Sequence, residues 1–287
     1  MHLPLDSYSR GVYMPPMHQG QTPSGLPFMK MHGLGNDFVV IDERDGIVRA
    51  TQPVVMAMAD RHRGIGFDQL AVISNSPDGD AHLTFWNSDG SHSATCGNAT
   101  RCIARYLMQE KGVTEVTVTT ERGAHLARDL DGTITVNMGH PSLEWQDIPL
   151  AREMDTLKLP LPGQPVATGM GNPHCTFFVD DAEAIELETE GPRFEHDPLF
   201  PQRTNVQFAS IIGENHIRMR VWERGAGVTL ASGSSSCATA VAARRRGLVN
   251  GQVTMDLDGG QIMIDWRDDG IWMSGPTAHV FDGVWRP

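Results

Sequence analysis

One spacing constrains this chain more than any other feature: segments 136 residues apart read alike. Gly33-Leu34-Gly35-Asn36 precedes an apolar run, Phe38 to Ile41, and Gly169-Met170-Gly171-Asn172 precedes another, Thr176 to Val179. The same shift carries Cys96-Gly97 onto Ser232-Gly233, Gln69 onto Asn205, Asn87 onto Glu223, and Val136-Asn137-Met138-Gly139 onto Trp272-Met273-Ser274-Gly275. Core periodicity repeats apolar positions but gives no reason for polar residues to coincide. An internal duplication accounts for both, so the chain has to bury two copies of one supersecondary unit.

Each copy reads as short strands around one helix. The small-residue stretches Asn98 to Leu107 and Ser234 to Arg246 are the expected central helices, and Gln52–Asp60 is a second helix ahead of the Arg61–Gln69 loop. Gln69–Ile73, Ala81–Trp86, Glu115–Thr120, Thr133–Met138, Arg218–Trp222, Gln252–Leu257 and Gln261–Trp266 are strand segments bounded by Gly, Asp and Asn turns. The expected fold is α+β: two pseudo-symmetric domains, each a sheet wrapped around a central helix, with the active site in the interdomain cleft. Residues 1–28, rich in Pro, Gly, Ser and Gln, read as a disordered leader. The domains are expected at 29–142 and 143–275, with 276–287 returning to complete the first.

Composition removes several classes of partner. A formal net charge of -12 opposes binding to nucleic-acid backbones or anionic membranes, which call for clustered Lys and Arg. The one basic run, Arg244-Arg245-Arg246, falls where cations complement a helix C-terminus. Four cysteines in 287 residues are too few for a disulfide framework, and none forms a CxxC metal pair. No apolar run approaches a membrane span and residues 1–28 lack a signal-peptide pattern, so the expectation is a cytoplasmic protein with reduced thiols.

The repeat centres carry the chemistry. Cys96 stands where a helix begins, in a field expected to lower its pKa from about 8.5 toward neutrality. Unpaired N–H groups at the same helix start can hold a carboxylate. Cys102, Cys175 and Cys237 lie among apolar or small residues and read as small buried hydrophobes. Two such helix starts facing one cleft suit an amino acid: its carboxylate rests on backbone amides, and its Cα lies between two groups able to move a proton. Each Asn taken singly reads as a turn or capping residue, and Glu223-Arg224 as an ordinary exposed pair.

Together the motifs resemble the diaminopimelate epimerase family, which is independent of pyridoxal phosphate. The matching strings are Met31-His32-Gly33-Leu34-Gly35-Asn36-Asp37-Phe38, Gly64-Ile65-Gly66-Phe67-Asp68-Gln69, Asn87-Ser88-Asp89-Gly90-Ser91, Cys96-Gly97-Asn98-Ala99-Thr100-Arg101-Cys102, Gly171-Asn172-Pro173-His174-Cys175, Arg203-Thr204-Asn205-Val206 and Glu223-Arg224-Gly225-Ala226-Gly227. They run in order from Met29 to the C-terminus. The resemblance implies that Cys96 is a catalytic acid–base residue, and that Gly97, Asn98, Gly233 and Ser234 present amides to the α-carboxylate. It further implies that Glu223 pairs with the α-ammonium, that Arg224 with Asn36, Asn87, Asn172 and Asn205 holds the distal amino-acid end, and that Gln69 lines the pocket. It implies no cofactor and no metal, a small amino-acid substrate, and a homodimer.

The chain departs from the family where Ala231-Ser232-Gly233 stands for Ala-Cys-Gly, so Ser232 replaces the second catalytic thiol. No His or Lys within Ala231–Ser236 stands ready to activate that hydroxyl. His92 and Val228 each replace a common Glu and read as peripheral. Three readings follow: an epimerase-family protein with diminished turnover, a one-base dehydratase of the kind found among proline racemase-like relatives, or a non-catalytic amino-acid binder.

Overall fold

The computed structural model describes residues 25–286. The first repeat comprises β1 (Leu26–Gly33), β2 (Asn36–Asp42), α1 (Gln52–Ala59), β3 (Gln69–Ser74), β4 (Ala81–Asn87), β5 (His92–Ser93), α2 (Gly97–Lys111), β6 (Glu115–Thr120), β7 (Gly123–Leu130) and β8 (Thr133–Asn137). The second repeats the order: β9 (Val166–Gly169), β10 (Pro173–Phe178), α3 (Leu187–Glu195), β11 (Asn205–Gly213), β12 (His216–Glu223), β13 (Gly227–Val228), α4 (Gly233–Arg245), β14 (Val253–Leu257), β15 (Gly260–Arg267) and β16 (Gly270–Gly275). A last strand, β17 (Ala278–Trp285), pairs antiparallel with β1.

Pairing repeats with the sequence. β2 runs parallel to β3 as β10 does to β11, and β4 parallel to β6 as β12 does to β14. The halves are not separate sheets, however. β8 pairs antiparallel with β16, so one ladder runs from β17 through both repeats to β9. Each half coils because its central helix must be covered on all sides: ten residues of α2 and ten of α4 are buried.

Strand alternation explains the layers. Phe38 and Val40 of β2 face the inner core with α2, while Val39 and Ile41 face an outer cluster with Val55 and Met58 of α1. In the second half Cys175, Phe177, Val206 and Phe208 pack outward with Phe194 of α3. The inner cores of both halves merge into one cluster, which includes Met138, Met170 and Met273.

Some expectations need correction. The fold begins at Leu26, not Met29, because Leu26, Pro27 and Phe28 pair with β17. Residues 1–24 of the expected leader lie outside the described residues. Helix α3 went unread, although shifting α1 by 136 residues lands on it; the internal Pro192 disguises its pattern. The basic run closes α4, and Arg245 and Arg246 donate to Thr156 Oγ1 and the Leu157 carbonyl, tying the helix end to the segment between β8 and β9.

Candidate active site

Cys96 and Ser232 occupy the N-cap positions of α2 and α4, both with extended backbone and neither making a side-chain cap bond. The first-turn amides of both helices are therefore left to other partners. Thr100 and Ser236, 136 residues apart, back-bond alike to the Cys96 and Ser232 carbonyls, each at 2.8 Å. The two helix starts meet: a Cβ on Gly233 would lie 3.7 Å from Gly97 Cα. Met273 sits beneath both, since a Cβ on Gly97 would lie 2.6 Å from its Cε and one on Gly233 2.9 Å from its Sδ. Only glycine fits at either position without displacing Met273 or its partner helix.

Around Cys96 the first half supplies amides. Asn36 Oδ1 accepts from Asn98 Nδ2 at 3.2 Å and faces Cys96 Sγ at 3.9 Å. Asn36 Nδ2 donates to Asp68 Oδ2 at 3.0 Å, and Asp68 also accepts the Asp37 amide. Burial would raise the Asp37 carboxyl, but the Arg61 and Lys30 cations bonded to it hold it below its ordinary range. Gln69 Nε2 donates to Asn87 Oδ1 at 3.1 Å across β3 and β4, and Asn87 Nδ2 donates to Ser91 Oγ.

Around Ser232 the partners are different. Its hydroxyl lies 2.8 Å from Glu223 Oε2 and 2.9 Å from Ser235 Oγ, and Glu223 Oε1 accepts from Thr229. Burial raises the Glu223 carboxyl, and those two hydroxyls oppose the shift. Asn205 Oδ1 accepts the Arg224 amide at 3.0 Å while its Nδ2 donates to the Pro173 carbonyl, and Asn172 Oδ1 accepts from His174 Nε2 at 2.8 Å. Ser234 is half-buried in the first turn of α4. The Arg224 guanidinium donates to the Gln202 carbonyl at 3.1 Å.

Two expectations about acid–base chemistry change. Burial, which disfavours the thiolate, pushes the Cys96 thiol up to about 12; the Ala99 amide opposes this and the Glu223 charge adds to it. The helix field is outweighed because Cys96 is only 7% exposed and the Glu223 charge of the other half acts on it. Nor does Ser232 lack a nearby imidazole. Ser235 links it to His174, whose Nδ1 lies 3.5 Å from Ser235 Oγ and accepts from Gln207 Nε2 at 3.0 Å. Burial first, then Arg224 and Arg122, lower His174 to about 3, so it is neutral and a hydrogen-bond acceptor at Nδ1.

His174, Thr176, Gln207 and Ser235 form a buried polar network missed in the sequence. Their positions 136 residues earlier hold Phe38, Val40, Ala71 and Ala99. Comparing the copies for polar-for-apolar exchanges, rather than for likeness, finds it. Glu195 was also missed: its carboxylate accepts from Trp222 Nε1 at 2.6 Å and the Gly225 amide at 3.0 Å, bracketing Glu223-Arg224. A cavity of about 400 Å³ opens between the halves, lined among others by Asp37, Arg61 and Asp68 from one and Thr229 and Leu230 from the other, but by neither Cys96 nor Ser232. It touches the site through Asp68, which holds Asn36, and Thr229, which holds Glu223.

The fold and paired helix starts define the class first. Similar architecture occurs in a phenazine biosynthesis protein of the PhzF family from Bacillus anthracis, with a TM-score of 0.65 and 13% identity over 91% of this chain and 99% of that one. It occurs also in a hydroxyproline epimerase from Agrobacterium vitis, with a TM-score of 0.65 and 14% identity over 91% and 90% of the two chains. The family sequence model described as diaminopimelate epimerase matches residues 28–144 and again 166–280. Diaminopimelate epimerases from Rhodospirillum centenum and Acidiphilium cryptum are 50% and 49% identical, each over 264 residues; the alignments cover 89% and 90% of this chain and 91% and 95% of the relatives. The chain belongs to the diaminopimelate epimerase family, and its homologues are isomerases.

Proposed function

We propose that this chain binds LL- and meso-diaminopimelate between its halves and exchanges the Cα proton through Cys96, with Ser232 in the place of the second acid–base group. The observation that carries this reading is the meeting of two uncapped helix starts at Gly97 and Gly233, with Cys96 and Ser232 as their N-cap residues. The α-carboxylate rests on the amides of Gly97, Asn98, Gly233 and Ser234, where the helix dipoles favour an anion. The α-ammonium pairs with Glu223. Its arrival offsets the Glu223 charge, which adds to burial in opposing a thiolate at Cys96. Asn36 holds its amide toward Cys96, Gln69 and Asn87 line the first-half wall, and Asn172, Asn205 and Arg224 receive the distal end.

In the forward step the Cys96 thiolate takes the α-proton, the electron pair passes into the carboxylate held by the amides, and a proton is delivered to the other face. Ser232 stands on that face, its hydroxyl hydrogen-bonded to Glu223. That bond favours a second course, in which Cys96 exchanges the proton on one face and inversion is slow. The reading requires neither metal nor pyridoxal phosphate, and family membership supports a cytoplasmic homodimer. Proton NMR of both diaminopimelate isomers in D₂O tests it: Cα–H loss and isomer ratio are followed separately, with Cys96→Ala as control. Exchange that survives Cys96→Ala, or elimination products, would overturn the epimerase assignment.

A further inference from the structure

The repeat relation extends to how the halves touch. The β1–β2 turn, Leu34-Gly35, packs on the β14–β15 turn of the other half, where a Cβ on Gly259 would lie 1.9 Å from the Leu34 carbonyl oxygen. The counterpart contact sets the β9–β10 turn, Met170-Gly171, against the β6–β7 turn that carries Arg122. A Cβ on Gly171 (φ 82°) would lie 0.6 Å from Arg122 Nη1, so the guanidinium fills the space that glycine leaves open. Position 122 corresponds by the 136-residue shift to Asp258, which is ion-paired with Arg218. The Arg122 guanidinium has no such partner: among the described residues it makes no hydrogen bond and no ion pair.

A half-buried guanidinium without an acceptor is unfavourable, and burial alone depresses its proton affinity. Arg122 rests on the residue before Asn172, and its charge reaches His174 together with that of Arg224. Among the described residues Arg224 likewise makes no ion pair, using its backbone amide on Asn205 and one guanidinium nitrogen on the Gln202 carbonyl. Arg122 of the first half thus lies against Gly171, beside Asn172, while Arg224 of the second is held to Asn205 through its backbone amide. Guanidinium forks match a carboxylate in geometry as well as charge.

We propose that Arg122 acts with Arg224 as a binding residue for the distal carboxylate of the substrate, and so selects a dicarboxylate over a monocarboxylate amino acid. The inference rests on the substrate reading above and adds a residue from the opposite half, so that the distal carboxylate is gripped only when the two halves are together. Isothermal calorimetry with LL-diaminopimelate and with L-lysine, on the unaltered chain, Arg122→Met and Arg122→Lys, provides the test. Arg122→Met should weaken diaminopimelate binding roughly ten- to a hundredfold while leaving the weak binding of lysine unchanged. Arg122→Lys should recover part of the loss. Undiminished diaminopimelate binding by Arg122→Met, or equal losses for both ligands, would overturn the assignment of Arg122 alone. Failure of the unaltered chain to bind diaminopimelate would remove the substrate reading and this inference with it.

Discussion

Ser232→Cys places a thiol at the position that the repeat relation sets opposite Cys96. The Ser232 oxygen now lies 2.8 Å from Glu223 Oε2 and 2.9 Å from Ser235 Oγ, a polar setting that holds the hydroxyl proton rather than releasing it. A thiol is a far stronger acid and a weaker hydrogen-bond partner, so sulfur leaves Glu223 freer to meet the α-ammonium. A positioned acid–base group contributes roughly 10²–10⁴ in rate, or about 3–5 kcal/mol of barrier. The cost is small, on the order of 1 kcal/mol, because the exchange adds little volume at a 4% exposed site and weakens two hydrogen bonds. The expected outcome is a rise in LL-to-meso conversion of two to four decades, followed by NMR in D₂O, with diaminopimelate affinity within a few-fold by calorimetry. Such a pattern marks an interaction made in the transition state. Equal rates for the two chains would refute the reasoning, since Ser232 would then be competent as it stands. A variant that binds but stays inert would favour the one-base course instead.

Two further outcomes follow from buried groups. Burial holds all four thiols above their ordinary 9.0: Cys102 at about 11, Cys96 and Cys237 at about 12, and Cys175 well above 9.0. The unfolded chain releases these protons first, so the native state binds more of them above pH 9 and unfolding free energy must fall as pH rises. The loss should be about 1 kcal/mol per thiol between pH 9 and 10, read from urea unfolding at pH 8, 9 and 10; a flat profile would contradict the burial of the thiols. Glu195→Gln should lower stability by about 2–3 kcal/mol and weaken diaminopimelate binding. Both hydrogen-bond partners of its carboxylate are N–H donors and Arg203 pairs with it at 3.7 Å, whereas an uncharged amide can accept with only one of its two ends. Thermal unfolding and calorimetry check this, and an unchanged midpoint would remove the clamp on Glu223-Arg224.

Much of the architecture was readable because a duplication writes the same local rules twice. The apolar run Phe38 to Ile41, the small-residue helices after Cys96 and Ser232, and the Gly-Asn turns are local signals, each decided within a few residues of chain. Copy-to-copy likeness also singled out Asn36, Gln69, Asn87, Cys96 and their counterparts. It could not single out His174, Gln207 or Ser235, whose counterparts Phe38, Ala71 and Ala99 are apolar; only the folded inner face brings those polar groups together and leads them to Ser232.

The sequence by itself determined the repeat, the two helix starts, the serine that stands at position 232 opposite Cys96, and the family. Tertiary structure decided the continuity of the sheet through β8 and β16, the clamp by Glu195, the seating of the Arg122 guanidinium on Gly171, and the protonation of Cys96. The physical reason is range. A helix start acts on its N-cap thiol through neighbouring peptide groups, which the sequence specifies. Burial and the Glu223 charge act on the same sulfur from residues brought near only by folding, and in the ligand-free site they are the stronger influence.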